Sequence, residues 1–167
     1  MLSRDEPEPW LRGPIEGVHP LVMPVLASFA QVREDLAKHT AGLSPDAAWT
    51  KMGGASLGFH LKHIAGSVDR LTTYLLGQQL SDKQLEDLRN ESEPEGDAGE
   101  LVAQVDRQLT RSEEQLRRLD PAAIYGPRSV GRRALPTTVI GLLAHLCEHT
   151  QRHLGQAITL AKMLRQQ

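Results

Sequence analysis

The chain has 167 residues, a net charge of -2, 40% hydrophobic and 24% charged residues, the make-up of one soluble globular domain. Near-neutral charge gives no electrostatic case for nucleic acid or an anionic membrane as a partner, and no apolar run approaches the roughly 18 residues that span a bilayer. The single cysteine, Cys147, cannot form an internal disulfide, which suits a reducing cytoplasm, and the acidic, proline-rich start does not read as a signal peptide.

Residues 1–18 hold three prolines and two glycines and little periodicity; they read as an irregular arm that packs on the body through Trp10 and Leu11. Residues 19–167 read as a single helical domain. From Pro20 to about Ala41, Val22, Val25, Phe29, Val32 and Leu36 recur at helical spacing; Pro20 suits a first turn, Pro24 should kink or loosen the start, and Gly42 stops the helix. Ser44-Pro45-Asp46 starts one short turn. Ser56 caps a second long helix running to about Leu76, with the stripe Leu57, Leu61, Ile64, Val68, Leu71 and Leu75, closed by Gly77. Ser81-Asp-Lys-Gln84 resembles a capping box before a short polar helix. Residues 90–99 read as an acidic loop.

The third long helix is expected from about Glu100 to Leu119, with Leu101, Val105, Leu109, Ser112, Leu116 and Leu119 inward, and Asp120-Pro121 ends it. Its charges, Asp106 to Arg118, read as a solvent face. In residues 122–136 a short ribbon and a plain loop are both open, and the glycine and prolines favour the irregular form. Thr137 or Thr138 then caps a last helix to about Leu164. Four amphipathic helices of this length, with one longer crossover, bury their stripes as a four-helix bundle.

Five of the seven histidines fall in two of these helices, as His60-Leu-Lys-His63 and His145-Leu-Cys-Glu-His149-Thr-Gln-Arg-His153. Residues three or four apart share a helix face, so two such helices packed together would converge imidazoles on one point, the donor set of a first-row transition metal. On a helical wheel Leu142, Leu146, His149, His153, Leu160 and Leu164 share a face with the two histidines at its middle, and His145 on its flank. His145 and His153 are about 12 Å apart along the axis, too far for one ion to hold all three. The pair is 145 with 149 or 149 with 153, and burial favours the second. On the other helix the wheel favours His60 slightly as the inward residue, but does not decide the third ligand.

Other features carry less. Cys147 lies off the apolar face and reads as a half-buried thiol; Glu148 reads as a solvated charge. Arg128, Arg132 and Arg133, around Gly131, could clamp a carboxylate or an anionic thiol cofactor, but an ordinary basic loop fits them better.

Ser56-Leu-Gly-Phe-His-Leu-Lys-His63-Ile-Ala-Gly-Ser67, together with His149-Thr-Gln-Arg-His153-Leu-Gly-Gln156, resembles the DinB-like superfamily, which includes YfiT-type proteins and bacillithiol- or mycothiol-dependent transferases. Val130-Gly-Arg-Arg-Ala-Leu-Pro136 is similar to one branch of it, and the resemblance covers about residues 20–165. It implies an all-α four-helix bundle, a three-histidine site for nickel, zinc or iron, and a homodimer. It also implies that His63, followed by Ile-Ala-Gly-Ser, joins His149 and His153 as a ligand, with His60 a neighbour. Leu154 stands where many members carry an arginine after the second ligand of this helix.

Three neutral imidazoles leave positions open on an ion, where water is acidified or a thiol binds as thiolate. The expected function is therefore a metal-dependent enzyme acting on a small molecule, a thiol-dependent S-transferase or a hydrolase in stress response or detoxification. His60, His145 or Gln156 would move protons or orient substrate. The alternative is a non-catalytic, dimeric metal-binding stress protein.

Overall fold

A computed structural model describes residues 6–166 of the chain. Five α-helices, α1 (Met23–Thr40), α2 (Leu57–Leu75), α3 (Asp82–Arg89), α4 (Ala98–Arg117) and α5 (Val139–Leu164), are joined by three short 3-10 turns and one pair of strands, β1 (Pro127–Val130) and β2 (Leu135–Thr138). The helices start where side chains can satisfy the first free N–H groups. The Ser56 hydroxyl accepts from the Phe59 N–H, Thr138 accepts from Gly141, and Ser81 with Gln84 and Asp97 with Glu100 form complete capping boxes. The Asp97 cap starts α4 two residues earlier than expected. Pro24 sits in the first turn of α1, where a proline has no hydrogen bond to break, so it does not kink the helix.

The four long helices form a bundle. α5 packs on α1 and α2, and α4 packs on α2 and α1. The consecutive helices α1 and α2 therefore sit on one diagonal, and α4 and α5 on the other. Residues 41–56 and 118–138 are the connections that cross the bundle. Phe29, Leu57, Leu61, Ile64, Leu109 and Leu146 are fully enclosed at the centre, and each such side chain contributes about 1.5–3 kcal/mol through burial.

Four further expectations are corrected. The crossover from α4 to α5 contains a ribbon, with Pro127, Arg128, Ser129 and Val130 paired antiparallel to Thr138, Thr137, Pro136 and Leu135. Both strands of a two-stranded ribbon are edges, where proline is tolerated, and Gly131 supplies the left-handed turn at φ +72°. The described part of the arm does not dock through Trp10 and Leu11, which are exposed. Pro9, Ile15 and Val18 face the body instead, and Arg12 reaches Glu34 on α1 at 2.6 Å. Finally, His149 and His153 do not occupy the middle of the buried face of α5. That face is centred on Leu146, Thr150 and Leu154, because α5 is wedged between two partners. Its α1 edge carries Gln151, bonded to the Ser28 hydroxyl at 2.8 Å, and its α2 edge carries the histidines. Cys147 packs against the core rather than off it.

Candidate metal centre

α2 and α5 lie side by side, so the histidine faces of both helices meet. His63 Nε2 stands 2.9 Å from His149 Nε2. The rings of His63 and His153 are 4.3 Å apart between centroids, and those of His149 and His153 4.7 Å. One nitrogen from each of His63, His149 and His153 lies within 4.8 Å of the other two. Phe59, one turn before His63, stacks on the His63 ring at 5.4 Å and 14°, which limits how that ring can rotate.

Two of the three rings have hydrogen-bonding partners behind them. His63 Nδ1 lies 2.6 Å from Glu91 Oε2, and Glu91 Oε1 pairs with Arg70 Nη1 at 2.8 Å. A buried carboxylate accepts, so Nδ1 carries the proton and Nε2 presents its lone pair inward. His153 Nδ1 faces His60 Nδ1 at 3.0 Å, so buried His60 can fix the orientation of that ring. His149 Nδ1 is buried with no hydrogen-bond partner among the described residues.

Burial first, and the neighbouring His63 second, holds the pKa of His149 below its ordinary value, and the same causes bring His153 down to about 4. Both are therefore neutral near pH 7, the state in which imidazole binds metal. The donor set thus fits a divalent transition ion: neutral nitrogens, close enough for bonds of about 2.0–2.1 Å, with carboxylate–histidine support behind one of them.

The loop that delivers Glu91 is held from two sides. Lys62 Nζ donates to the carbonyls of Asn90 at 2.8 Å and Glu93 at 3.1 Å, and Trp49 Nε1 donates to the Gly96 carbonyl at 2.8 Å. Gly58 makes room for the Trp49 ring, since a Cβ there would lie 2.8 Å from it. Gly66 makes room for the ion pair, since a Cβ there would lie 2.6 Å from both Arg70 Nη1 and Glu91 Oε1.

The other sequence candidates lie elsewhere. His145 is exposed and paired with Glu148 at 2.6 Å, and Glu148 in turn holds Arg152. With His149 they form a second, more open group of possible ligands. Glu148 is thus bonded rather than merely solvated. Gln156 is exposed, one turn past His153. Arg128 Nε donates to the Leu75 carbonyl at 2.7 Å, closing the end of α2, and Arg132 and Arg133 stand exposed at the ribbon turn. None of these arginines lines the cavity beside the histidines. Burial pushes the Cys147 thiol up to about 11, so it supplies no thiolate at neutral pH.

Sequence reasoning missed Glu91 and Arg70. Glu91 sits in an acidic loop with no periodic signal. Arg70 did carry one: His63, Ser67, Arg70 and Tyr74 follow one another at helical spacing down a single face of α2.

A diagonal-crossing four-helix bundle with a histidine group able to hold a metal ion defines the class of protein. Residues 28–157 match the DinB superfamily, and the chain belongs to it. The fold is similar to that of YfiT from Bacillus subtilis, described as a probable metal-dependent hydrolase with an unusual four-helix bundle topology. The TM-score is 0.64 at 15% identity, covering 91% of this chain and 93% of that one. No curated protein matches the sequence. Among the described residues, no helix is long and apolar enough to cross a membrane.

Proposed function

We propose that His63, His149 and His153 hold one divalent transition ion, nickel, zinc or iron, and that the protein is a metal-dependent enzyme acting on a small molecule. The observation that carries this reading is the convergence of three imidazole nitrogens within 4.8 Å, two of the rings, His63 and His149, bordering a cavity. When bound, such an ion lowers the pKa of water or a thiol and polarises an acyl oxygen. Glu91 keeps the proton of His63 on Nδ1, and His60 and Phe59 keep two rings from turning. Leu71, Leu80 and Leu88 give the space beside the cluster an apolar wall.

Hydrolysis is the preferred reaction, by analogy with the description of YfiT. Transfer of sulfur from an external low-molecular-weight thiol is the second reading. It draws on the resemblance to thiol-dependent transferases and on the unreactive state of the single cysteine. A role in detoxification, a homodimer and a cytoplasmic setting belong to the same proposal.

The test is turnover by protein reloaded with each metal, against a panel of small esters and amides, and against a model electrophile with bacillithiol, mycothiol, glutathione or cysteine. Metal-dependent turnover that disappears in His149→Ala supports the enzyme. Stoichiometric metal without turnover on any substrate would leave the non-catalytic metal-binding protein. Sedimentation at micromolar concentration checks the dimer, and a species of 18.4 kDa alone would remove it.

A further inference from the structure

The cavity beside the histidines has a volume of about 240 Å³. His63, His145 and His149 border it, and Leu71, Leu80 and Leu88 form apolar wall from α2, the following connection and α3. A water occupies about 30 Å³ in the liquid, so this open-sided space matches about eight waters, or a molecule of roughly ten non-hydrogen atoms. A sugar-linked thiol would leave much of itself outside.

Two polar groups of α2 line this space with hydrogen-bonding capacity to spare. Arg70 is only 8% exposed. Its one partner among the described residues is Glu91 Oε1, at 2.8 Å, and that carboxylate also serves His63. A guanidinium has five N–H donors in a planar fork, and those not facing Glu91 have no protein partner among the described residues. Tyr74 is likewise 8% exposed, lines the same cavity, and its hydroxyl has no hydrogen-bond partner among the described residues. Glu91 touches both His63 and Arg70, so the histidine cluster and the guanidinium lie within the length of one small molecule. The N–H groups of the Arg70 fork that Glu91 does not take up favour an anionic ligand with or without an ion.

We propose that this cavity binds a small organic carboxylate, with its anionic end on Arg70, its apolar body against Leu71, Leu80 and Leu88, and its reacting group turned toward the histidines. Tyr74 adds a hydrogen bond to the bound molecule. The assignment deepens the proposed function and rests on it for the reaction, though the binding itself does not need the ion.

Chemical-shift titration of the full chain, metal-loaded and metal-free, with hexanoate and benzoate against hexanamide and benzamide tests it. Each carboxylate is expected to bind at least tenfold tighter than its amide in both forms. Arg70→Lys keeps a charge beside Glu91 but loses the fork, and should reduce that preference several-fold. Tyr74→Phe should weaken binding about threefold to tenfold without changing metal content. Leu71→Trp fills the space and should abolish binding. Equal affinity for acid and amide, no binding of either, or carboxylate binding that survives Leu71→Trp would overturn the proposal. So would a preference seen only with metal bound and unchanged in Arg70→Lys, because the carboxylate would then sit on the ion. Metal content measured on the same samples separates the two readings. A chain that binds no ion yet prefers carboxylates refutes the metal enzyme alone, and a metal-loaded chain without the preference refutes the carboxylate site alone.

Discussion

Two chains of histidine, glutamate and arginine flank the same cluster, with the same chemistry and opposite surroundings. In the first, His63, Glu91 and Arg70 have side chains 17%, 6% and 10% exposed. In the second, His145, Glu148 and Arg152 are 47%, 48% and 60% exposed. Both histidine–carboxylate contacts measure 2.6 Å, so distance does not separate them. Surroundings do. Water screens the outer chain, and exposed pairs of this kind contribute about 0–1 kcal/mol. The inner chain is far less exposed to solvent, so each member depends more on the others. It can therefore fix which nitrogen of His63 points inward, while the outer chain decorates a helix surface.

The largest expected difference between the chains concerns the metal. His149→Ala removes the nitrogen nearest His63 and should eliminate stoichiometric binding, read by elemental analysis of untagged protein. Glu91→Gln should weaken metal affinity about 10–100-fold, the usual effect of losing a carboxylate behind a ligating histidine. It should also cost about 3 kcal/mol in denaturant unfolding, since Arg70 loses its counter-charge.

Gly66→Ala changes no charge. It forces Arg70 and Glu91 apart, and should cost about 1–3 kcal/mol through overpacking, with weaker metal binding as the accompanying sign. A normal affinity in a stable Gly66→Ala protein would show that the inner chain is not needed for orientation.

Acid separates the regions more gently. An unfolded histidine takes up a proton near 6.5, while His153 in the folded chain does so at about 4. Between these values the unfolded state binds more protons, so metal-free stability is full above pH 6.5 and falls as pH drops toward 4. With half-open rings screened by solvent, the loss should be about 1–2 kcal/mol, or roughly 2–8 °C in Tm by calorimetry. The smallest effect belongs to the outer chain. Glu148→Gln should leave both the denaturant unfolding midpoint and the metal affinity essentially unchanged.

The same contrast explains what could be read from the sequence. The helices and their histidine faces were legible because helical periodicity and capping residues are local signals, and Ser56, Ser81 and Thr138 cap where they stand. The choice of His63 over His60 came from resemblance, because the wheel favoured His60. His60 is indeed the more buried of the two, but it lies behind His153. Glu91 was illegible because its position depends on Lys62 and Trp49 gripping a loop through bonds that span 28 and 47 residues of sequence. The ribbon was obscured by prolines that an edge strand tolerates. The off-centre placement of His149 and His153 follows from α5 having two neighbours, which a single-helix wheel cannot represent.

The most direct measurement is metal stoichiometry in the untagged chain, compared with His63→Ala and His145→Ala. The account predicts one ion per chain in the unaltered protein and in His145→Ala, and none in His63→Ala. An ion retained in His63→Ala, or lost only in His145→Ala, would place the metal on the outer chain and contradict it.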